Sequence, residues 1–373
     1  MNDELKFKNG KFKIMQIADT QEKFPLNPDT LKLIKLAVEK EMPDLVVFSG
    51  DQISGYSPCF KDNTLEKVKN VISDLTAVMR AYSIPYTATF GNHDRDCGIS
   101  NSEQMEKIYK KLPYFIYSES RSSADTATFC LTVKSSDGKK DALALYIIDS
   151  NAKEPDGVYS PVYKEQIKWY KEKRDELKKV NGNYIPAIVF QHIPLPEFYK
   201  ALKRCSPFKK GRVEAFFSHK NEFYVLDDET ISKGGFMKES PAAPDINNGE
   251  FEAFKEKGDI LGVFVGHDHI NSFVKKVEGI DLGYTQCCGF NTYGPGSKRG
   301  VRIFEIDENN PENYKNYTVT MEQLCDYKPS KPTLEFILSH APSSVKQVEK
   351  YVKIFLCAAA AAATTYFLTR KTK

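Results

Sequence analysis

Two rhythms of apolar and polar positions run along this chain. Short, nearly continuous apolar runs at Phe12 to Ala18, Leu45 to Ser49, Tyr86 to Phe90, Ala142 to Ile148, Ile185 to Phe190 and Ile260 to Val265 read as strands. Between them, Leu31 to Lys40, Thr64 to Tyr82 and Pro161 to Lys179 carry apolar residues at helical spacing. This alternation predicts βα repetition and a mainly parallel sheet up to about residue 265. Four further β-like runs, Phe273 to Val277, Gly283 to Cys287, Val301 to Ile306 and Tyr317 to Met321, follow without intervening helices. They predict a second, partly antiparallel sheet packed on the first.

Breakers divide the rest. Lys203 to Pro244 has weak periodicity, with Gly234-Gly235 and Pro241 to Pro244 inside it, and reads as a long surface insertion. Asp326 to Ser344 is proline-rich and reads as a connection to a separate C-terminal element. The expected organisation is a domain over residues 1–328, a linker over 329–350 and an apolar helix over 351–373.

The 373 residues suffice for a large α/β domain, and 53 basic against 50 acidic residues leave a net charge of +3. That balance lacks the electrostatic footprint of a nucleic-acid binder, and none is predicted as a partner. The eight cysteines are scattered without CxxC pairing and read as mostly reduced thiols. The opening residues lack an apolar signal region, so the catalytic domain is expected in the cytosol.

Chemistry concentrates at the ends of the predicted strands. Phe12 to Ala18 runs into Asp19-Thr20-Gln21, Leu45 to Ser49 into Gly50-Asp51, and Tyr86 to Phe90 into Gly91-Asn92-His93-Asp94. Later, the run ending at Phe190 leads to Gln191-His192, and the run ending at Val265 leads to Gly266-His267-Asp268-His269. Strand ends of an open α/β sheet gather on one edge, where such folds place their sites. Four of the six histidines fall in these motifs. A lone Asp-x-Gln or Gly-Asp is usually a capped turn; two histidines two apart after a buried strand have little structural use. The donors are nitrogen and oxygen without thiolate, a set that suits manganese, iron, zinc or magnesium. His219 and His340 read as surface or packing residues.

In this order the motifs resemble the calcineurin-like metallophosphoesterase superfamily, whose blocks read D-x-H, G-D, G-N-H-D/E, H and G-H-x-H. The stretch from Glu239-Ser240-Pro241 through Gly289 to Gly294 and on to Arg302 is most similar to the short purple-acid-phosphatase-like proteins of plants and fungi. The resemblance implies a four-layer α/β/β/α sandwich of two mixed sheets flanked by helices. It implies two divalent ions, manganese favoured, with Asp19, Gln21 and His269 on the first, Asn92, His192 and His267 on the second, and Asp51 bridging. It also implies a phosphoesterase, phosphomonoesters favoured, that acts through a metal-bridging hydroxide. His93 would protonate the leaving group, Asp94 would support its imidazole, and Asn92, His93 and Tyr293 would meet the substrate. A nucleotide pyrophosphatase or phosphodiesterase, or a weakly active scaffold, is the alternative.

The chain departs from the pattern in two places. Gln21 stands where the family usually has histidine, which should weaken zinc and favour harder ions. Ser54 occupies the position of the tyrosine that binds ferric iron in purple acid phosphatases, and Tyr56 comes two residues later, so no purple ferric site is expected. Tyr293 and Arg299 are expected either to line the pocket or simply to be exposed. Finally, Ile354 to Leu368, with six alanines, is short for a membrane span, and the expectation favours a tail anchor on an organelle membrane over an alanine-rich helix that packs on the domain or a partner.

Overall fold

The computed structural model describes residues 4–154, 157–340 and 352. Six strands come first: β1 (Lys11–Ile17), β2 (Leu45–Ser49), β3 (Tyr86–Thr89), β4 (Phe129–Lys134), β5 (Asp141–Ile147) and β6 (Ala187–Phe190). The insertion contributes three short ones, β7 (Lys203–Arg204), β8 (Val213–Glu214) and β9 (Phe223–Val225). The chain continues with β10 (Phe236–Met237), β11 (Ile260–Val265), β12 (Asn271–Val277), β13 (Ile280–Tyr284), β14 (Gly300–Asp307) and β15 (Lys315–Thr320).

Two large mixed sheets result. One has five strands in the order β15-β14-β1-β2-β3; the other has seven, in the order β10-β12-β13-β11-β6-β5-β4. β1, β2 and β3 are mutually parallel, as are β5, β6, β11 and β13, while β14, β15, β12 and β4 pair antiparallel to their neighbours. The partition differs from the expected one. The parallel strands are shared between both sheets, and the late strands split, β14 returning to β1 and β12 and β13 extending the other sheet. Period-2 apolar patterning says which face of a strand is buried but not which neighbour it takes, so the C-terminal runs could not be assigned from it.

Why the middle strands are apolar throughout follows from the layers. Along β5, Leu143, Leu145 and Ile147 face the interior between the sheets, whereas Ala144, Tyr146 and the following Ile148 face the helix Lys164–Asn181. β6 divides in the same way, Ile188 and Phe190 inward, Ala187 and Val189 outward. A strand covered on both faces has no polar side to show. Across the sandwich, the Phe304 ring of β14 meets Phe264 of β11 edge-on at 4.5 Å and Phe190 of β6 at 5.4 Å. The helix Pro28–Glu41 packs Leu33, Ile34, Ala37 and Val38 into the core on the five-stranded sheet, completing the α/β/β/α order. Its start is set by Asn27, whose side chain accepts from the Asp29 N–H at 3.0 Å, with Pro28 in the first turn.

Two further differences have local causes. The predicted helix Thr64 to Tyr82 is two helices, Thr64–Leu75 and Ala77–Ala81, broken at Thr76, whose hydroxyl bonds back to the Ile72 carbonyl at 2.8 Å. The segment read as a linker contains a helix, Pro332–His340, that reaches the body of the protein through Leu338, whose carbonyl accepts from the Gly294 N–H. The apolar tail read as an anchor lies outside the described residues except Val352. Among the described residues, no helix is long and apolar enough to cross a membrane.

Candidate active site

The C-terminal ends of β1, β2 and β3 in one sheet and of β6 and β11 in the other open toward a common cavity of about 420 Å³. Asp19, Gln21, Asp51, His192, His267 and His269 all reach it or lie beneath it, and all are buried. The His269 Nε2 atom is 3.4 Å from Asp19 Oδ1, and His192 Nε2 is 3.8 Å from the same oxygen and 3.3 Å from Asp51 Oδ2. His267 Nδ1 lies 3.2 Å from His192 Nε2. Asn92, just after β3, is buried as well, and neither its Oδ1 nor Asp19 Oδ1 has a hydrogen-bond partner among the described residues.

Tight backbone turns make this approach feasible. Asp19, Gln21, Asp51 and His267 all adopt left-handed φ, at 52°, 38°, 52° and 73°, an uncommon conformation for residues with a Cβ that clusters at functional sites. Two glycines then let the sheets close on each other. A Cβ on Gly50 would stand 2.6 Å from the His192 ring, and one on Gly266 would stand 2.5 Å from Asp19 Oδ2.

Two imidazoles are held in one tautomer by carbonyls, which can only accept. His269 Nδ1–H donates to the Tyr293 carbonyl at 2.9 Å and His192 Nδ1–H to the Ser49 carbonyl at 3.1 Å. Each ring therefore turns its Nε2 toward the carboxylates, the orientation that ligating histidines take when that nitrogen gives up its proton to a cation. The field of the cluster is negative. Burial opposes charge on His192, yet the Asp51 and Asp19 carboxylates outweigh it and push the imidazole up to about 10. Burial and the neighbouring His192 push His267 well below its usual value. Carboxylates and imidazole nitrogens this close, with orphaned buried oxygens among them, are a donor set that divalent cations fit: Asp19, Asp51 and His269 alone bring three ligand atoms within 4.8 Å of one another.

Gln21 differs from the expectation of an inward-facing amide oxygen. Its Nε2 points at Asp51 Oδ2 (3.0 Å) and His269 Nε2 (3.2 Å), while its Oε1 accepts from the Tyr56 hydroxyl at 3.3 Å. An amide donates readily to a carboxylate, and only a half-turn would set its oxygen among the donors.

The His93 ring lines the cavity and is half-buried, and the residue's backbone N–H donates to Asp51 Oδ1 at 2.8 Å. Its imidazole is supported by Asp96, not Asp94: Nδ1 lies 2.7 Å from Asp96 Oδ2. The expected Asp94 contact is absent because that carboxylate is turned into the protein. Its oxygens accept from the backbone N–H groups of Gly91 (2.7 Å), Asp51 (2.9 Å) and Ile53 (3.2 Å), stitching the turn after β3 to the turn after β2. Burial, and then the Asp51 charge, push Asp94 up to about 8. Burial disfavours charge on His93, but Asp51 and Asp96 raise it above the ordinary range.

Tyr293 lies in the site, stacked on His269 with ring centroids 4.2 Å apart, its hydroxyl donating to Glu239 Oε2 at 3.0 Å. Arg299 is neither exposed nor in the pocket. It is fully buried and donates to the carbonyls of Gly289 and Thr292, clamping the loop that carries Tyr293. Asp96, Tyr159, Phe216 and Phe217 are cavity or supporting residues that motif reading passed over; Glu239 and Tyr56, named in the sequence without a role in the site, join them. Asp96 had a local signal, three residues after His93; the aromatic residues arrive from segments with no motif.

The Calcineurin-like phosphoesterase family model matches residues 12–271, most of the chain, and the protein belongs to that family. It is a metal-dependent hydrolase acting on phosphoric esters, and the family implies divalent metal ions. Among named relatives, it is similar to "Probable inactive purple acid phosphatase 14" of Arabidopsis thaliana, 28% identical over 80% of this chain and 75% of that protein. It is also similar to "Phosphatase DCR2" of Saccharomyces cerevisiae, 26% identical over 86% of this chain and 56% of that protein. A solved dimetal phosphatase from Danio rerio aligns over 83% of this chain and 99% of its own, at 12% identity and a TM-score of 0.47.

Proposed function

We propose that the protein is a phosphomonoesterase with a dinuclear centre, manganese favoured, built from Asp19, Asp51, Asn92, His192, His267 and His269, with Gln21 joining after a half-turn of its amide. The observation that supports this most directly is the gathering of buried carboxylates and imidazoles from five strand ends beneath a single cavity whose wall holds His93. The chemistry supplied by a bound cation pair is acidified water and neutralised phosphate charge.

The chain's own groups do the rest. Asp51 holds the His93 backbone and both neighbouring turns, so the acid and the ligands keep one geometry. His93, charged with help from Asp96, gives its proton to the departing ester oxygen. Tyr293 and Glu239 fix His269 from the side away from the carboxylates. Asn92 offers the phosphate a short polar contact beside His93.

The test is reconstitution of chelated protein with manganese, magnesium, zinc or iron, followed by turnover of phosphomonoesters, diesters and nucleotide pyrophosphates. Manganese-dependent release of phosphate from monoesters is expected. Preference for diesters or pyrophosphates would move the assignment to a phosphodiesterase or pyrophosphatase. The rival reading is a weakly active scaffold, favoured by the word "inactive" in the Arabidopsis relative's name and by the outward Gln21 oxygen. Stoichiometric metal without turnover of any ester would establish that reading instead.

A further inference from the structure

We infer that the mouth of the cavity selects phosphomonoesters whose alcohol carries a flat aromatic ring, and that Phe217 is a residue that sets this preference. The inference rests on the site's binding phosphate, as proposed above, and adds what stands next to that phosphate.

A row of rings leads outward from the donor cluster. Tyr159 stands edge-on to His267, with centroids 4.6 Å apart; Phe217 stands edge-on to Tyr159 at 5.8 Å; and Phe216 follows at 6.2 Å. Across the cavity, Tyr56 stands edge-on to His93 at 4.8 Å and remains half-exposed. Apolar surface on both walls of a polar metal-type site is not needed to hold phosphate, which asks for charge and hydrogen bonds.

Phe217 is the least expected member of the row. Its φ is 48°, the left-handed region that bulky side chains avoid, and its side chain is only partly covered. The turn is held by hydrogen bonds of its own backbone. Ser218 N–H donates to Asp245 Oδ1 at 3.0 Å, and the N–H groups of His219 and Lys220 bond to the carbonyls of Phe216 and Phe217, each at 3.0 Å. The insertion thus keeps an aromatic ring over the site at a conformational cost. Lys153 and Lys220 line the same cavity, placing positive charge where an anionic ester enters.

A bound ring would meet aromatic side chains on the cavity wall, and edge-to-face contact with them is an interaction that a saturated ring of similar size does not have. Benzyl phosphate and cyclohexylmethyl phosphate isolate that difference, since both release primary alcohols. With metal-loaded protein, benzyl phosphate is expected to be favoured about 5-fold in kcat/KM, chiefly through KM. Phe217→Leu, which keeps apolar bulk, should bring the ratio to about 2 or less, and Phe217→Tyr should retain it. Equal handling of the two esters by the unaltered protein, or an unchanged ratio in Phe217→Leu, overturns the inference and leaves the phosphoesterase reading standing. Calorimetry with benzylphosphonate and cyclohexylmethylphosphonate separates the two claims. Preferential benzylphosphonate binding that Phe217→Leu removes, in a protein that turns over neither ester, upholds ring selection and ends the phosphomonoesterase proposal. Failure of the protein to prefer benzylphosphonate ends ring selection.

Discussion

The two sheets bring different chemistry to the same cavity. The five-stranded sheet delivers Asp19, Asp51 and Asn92, the amide of Gln21, and His93; the seven-stranded sheet delivers the imidazoles of His192, His267 and His269, with Asp268 and Glu239 also on the cavity wall. On the first, Asp19, Gln21 and Asp51 sit on left-handed backbone, and Gln21 bonds to Asp51 through both its side chain and its backbone N–H. On the second, ring orientation comes from backbone carbonyls and an aromatic stack. The difference teaches a division of labour: one edge supplies the Asp19 and Asp51 carboxylates and the His93 ring, and the other answers them with imidazoles, two of them oriented by backbone carbonyls. Neither edge is a site without the other.

The sharpest way to break this comparison is at its joint. Asp51→Ala should abolish metal retention and lower kcat/KM by about 1,000-fold or more, because the carboxylate anchors Gln21, His93 and His192 together. His192→Ala, on the opposite sheet, should lose metal as well. If elemental analysis showed full metal in either variant, the shared centre would be disproved.

His93→Ala comes next, with kcat reduced about 100- to 10,000-fold while metal content stays near that of the unaltered protein. Metal loss equal to that of Asp51→Ala would remove the proton-donor role. It would place His93 in the ligand set.

Asp96→Asn and Asp94→Asn separate two carboxylates two residues apart. Removing the Asp96 charge favours the neutral form of His93, so the alkaline limb of the kcat profile should move to lower pH with stability little changed. Asp94→Asn should instead lower the melting temperature and metal affinity, since one carboxamide cannot accept equally from three backbone N–H groups. Identical behaviour of the pair would contradict their separate placement.

Gln21→His is the mildest change and tests the oxygen-rich character of the first sheet. An imidazole there should raise zinc affinity and reduce the advantage of manganese, with turnover altered by a few-fold. Competition between the two metals in the variant and the unaltered protein reads this directly.

Much of the candidate site was legible before any fold was known, because few side chain types suit a metal and strand ends put them where backbone can turn. Asp19, Asp51, Asn92, His192, His267 and His269 were all marked by a preceding apolar run and a local motif. Strand and helix positions followed from burial rhythm, as with Leu45–Ser49 and Ile260–Val265. Such features depend on a few consecutive residues, and a sequence states those outright.

Tertiary structure alone decided the remainder. It returned β14 to β1, gave His93 to Asp96 while spending Asp94 on backbone amides, and turned the Gln21 oxygen outward to Tyr56. It buried Arg299 under the Tyr293 loop, and it carried Phe216 and Phe217 from a weakly patterned insertion to the cavity wall. These outcomes are choices among partners far apart along the chain. Each was settled by which groups had room and hydrogen bonds left once the sheets had closed, a competition that no stretch of neighbouring residues encodes.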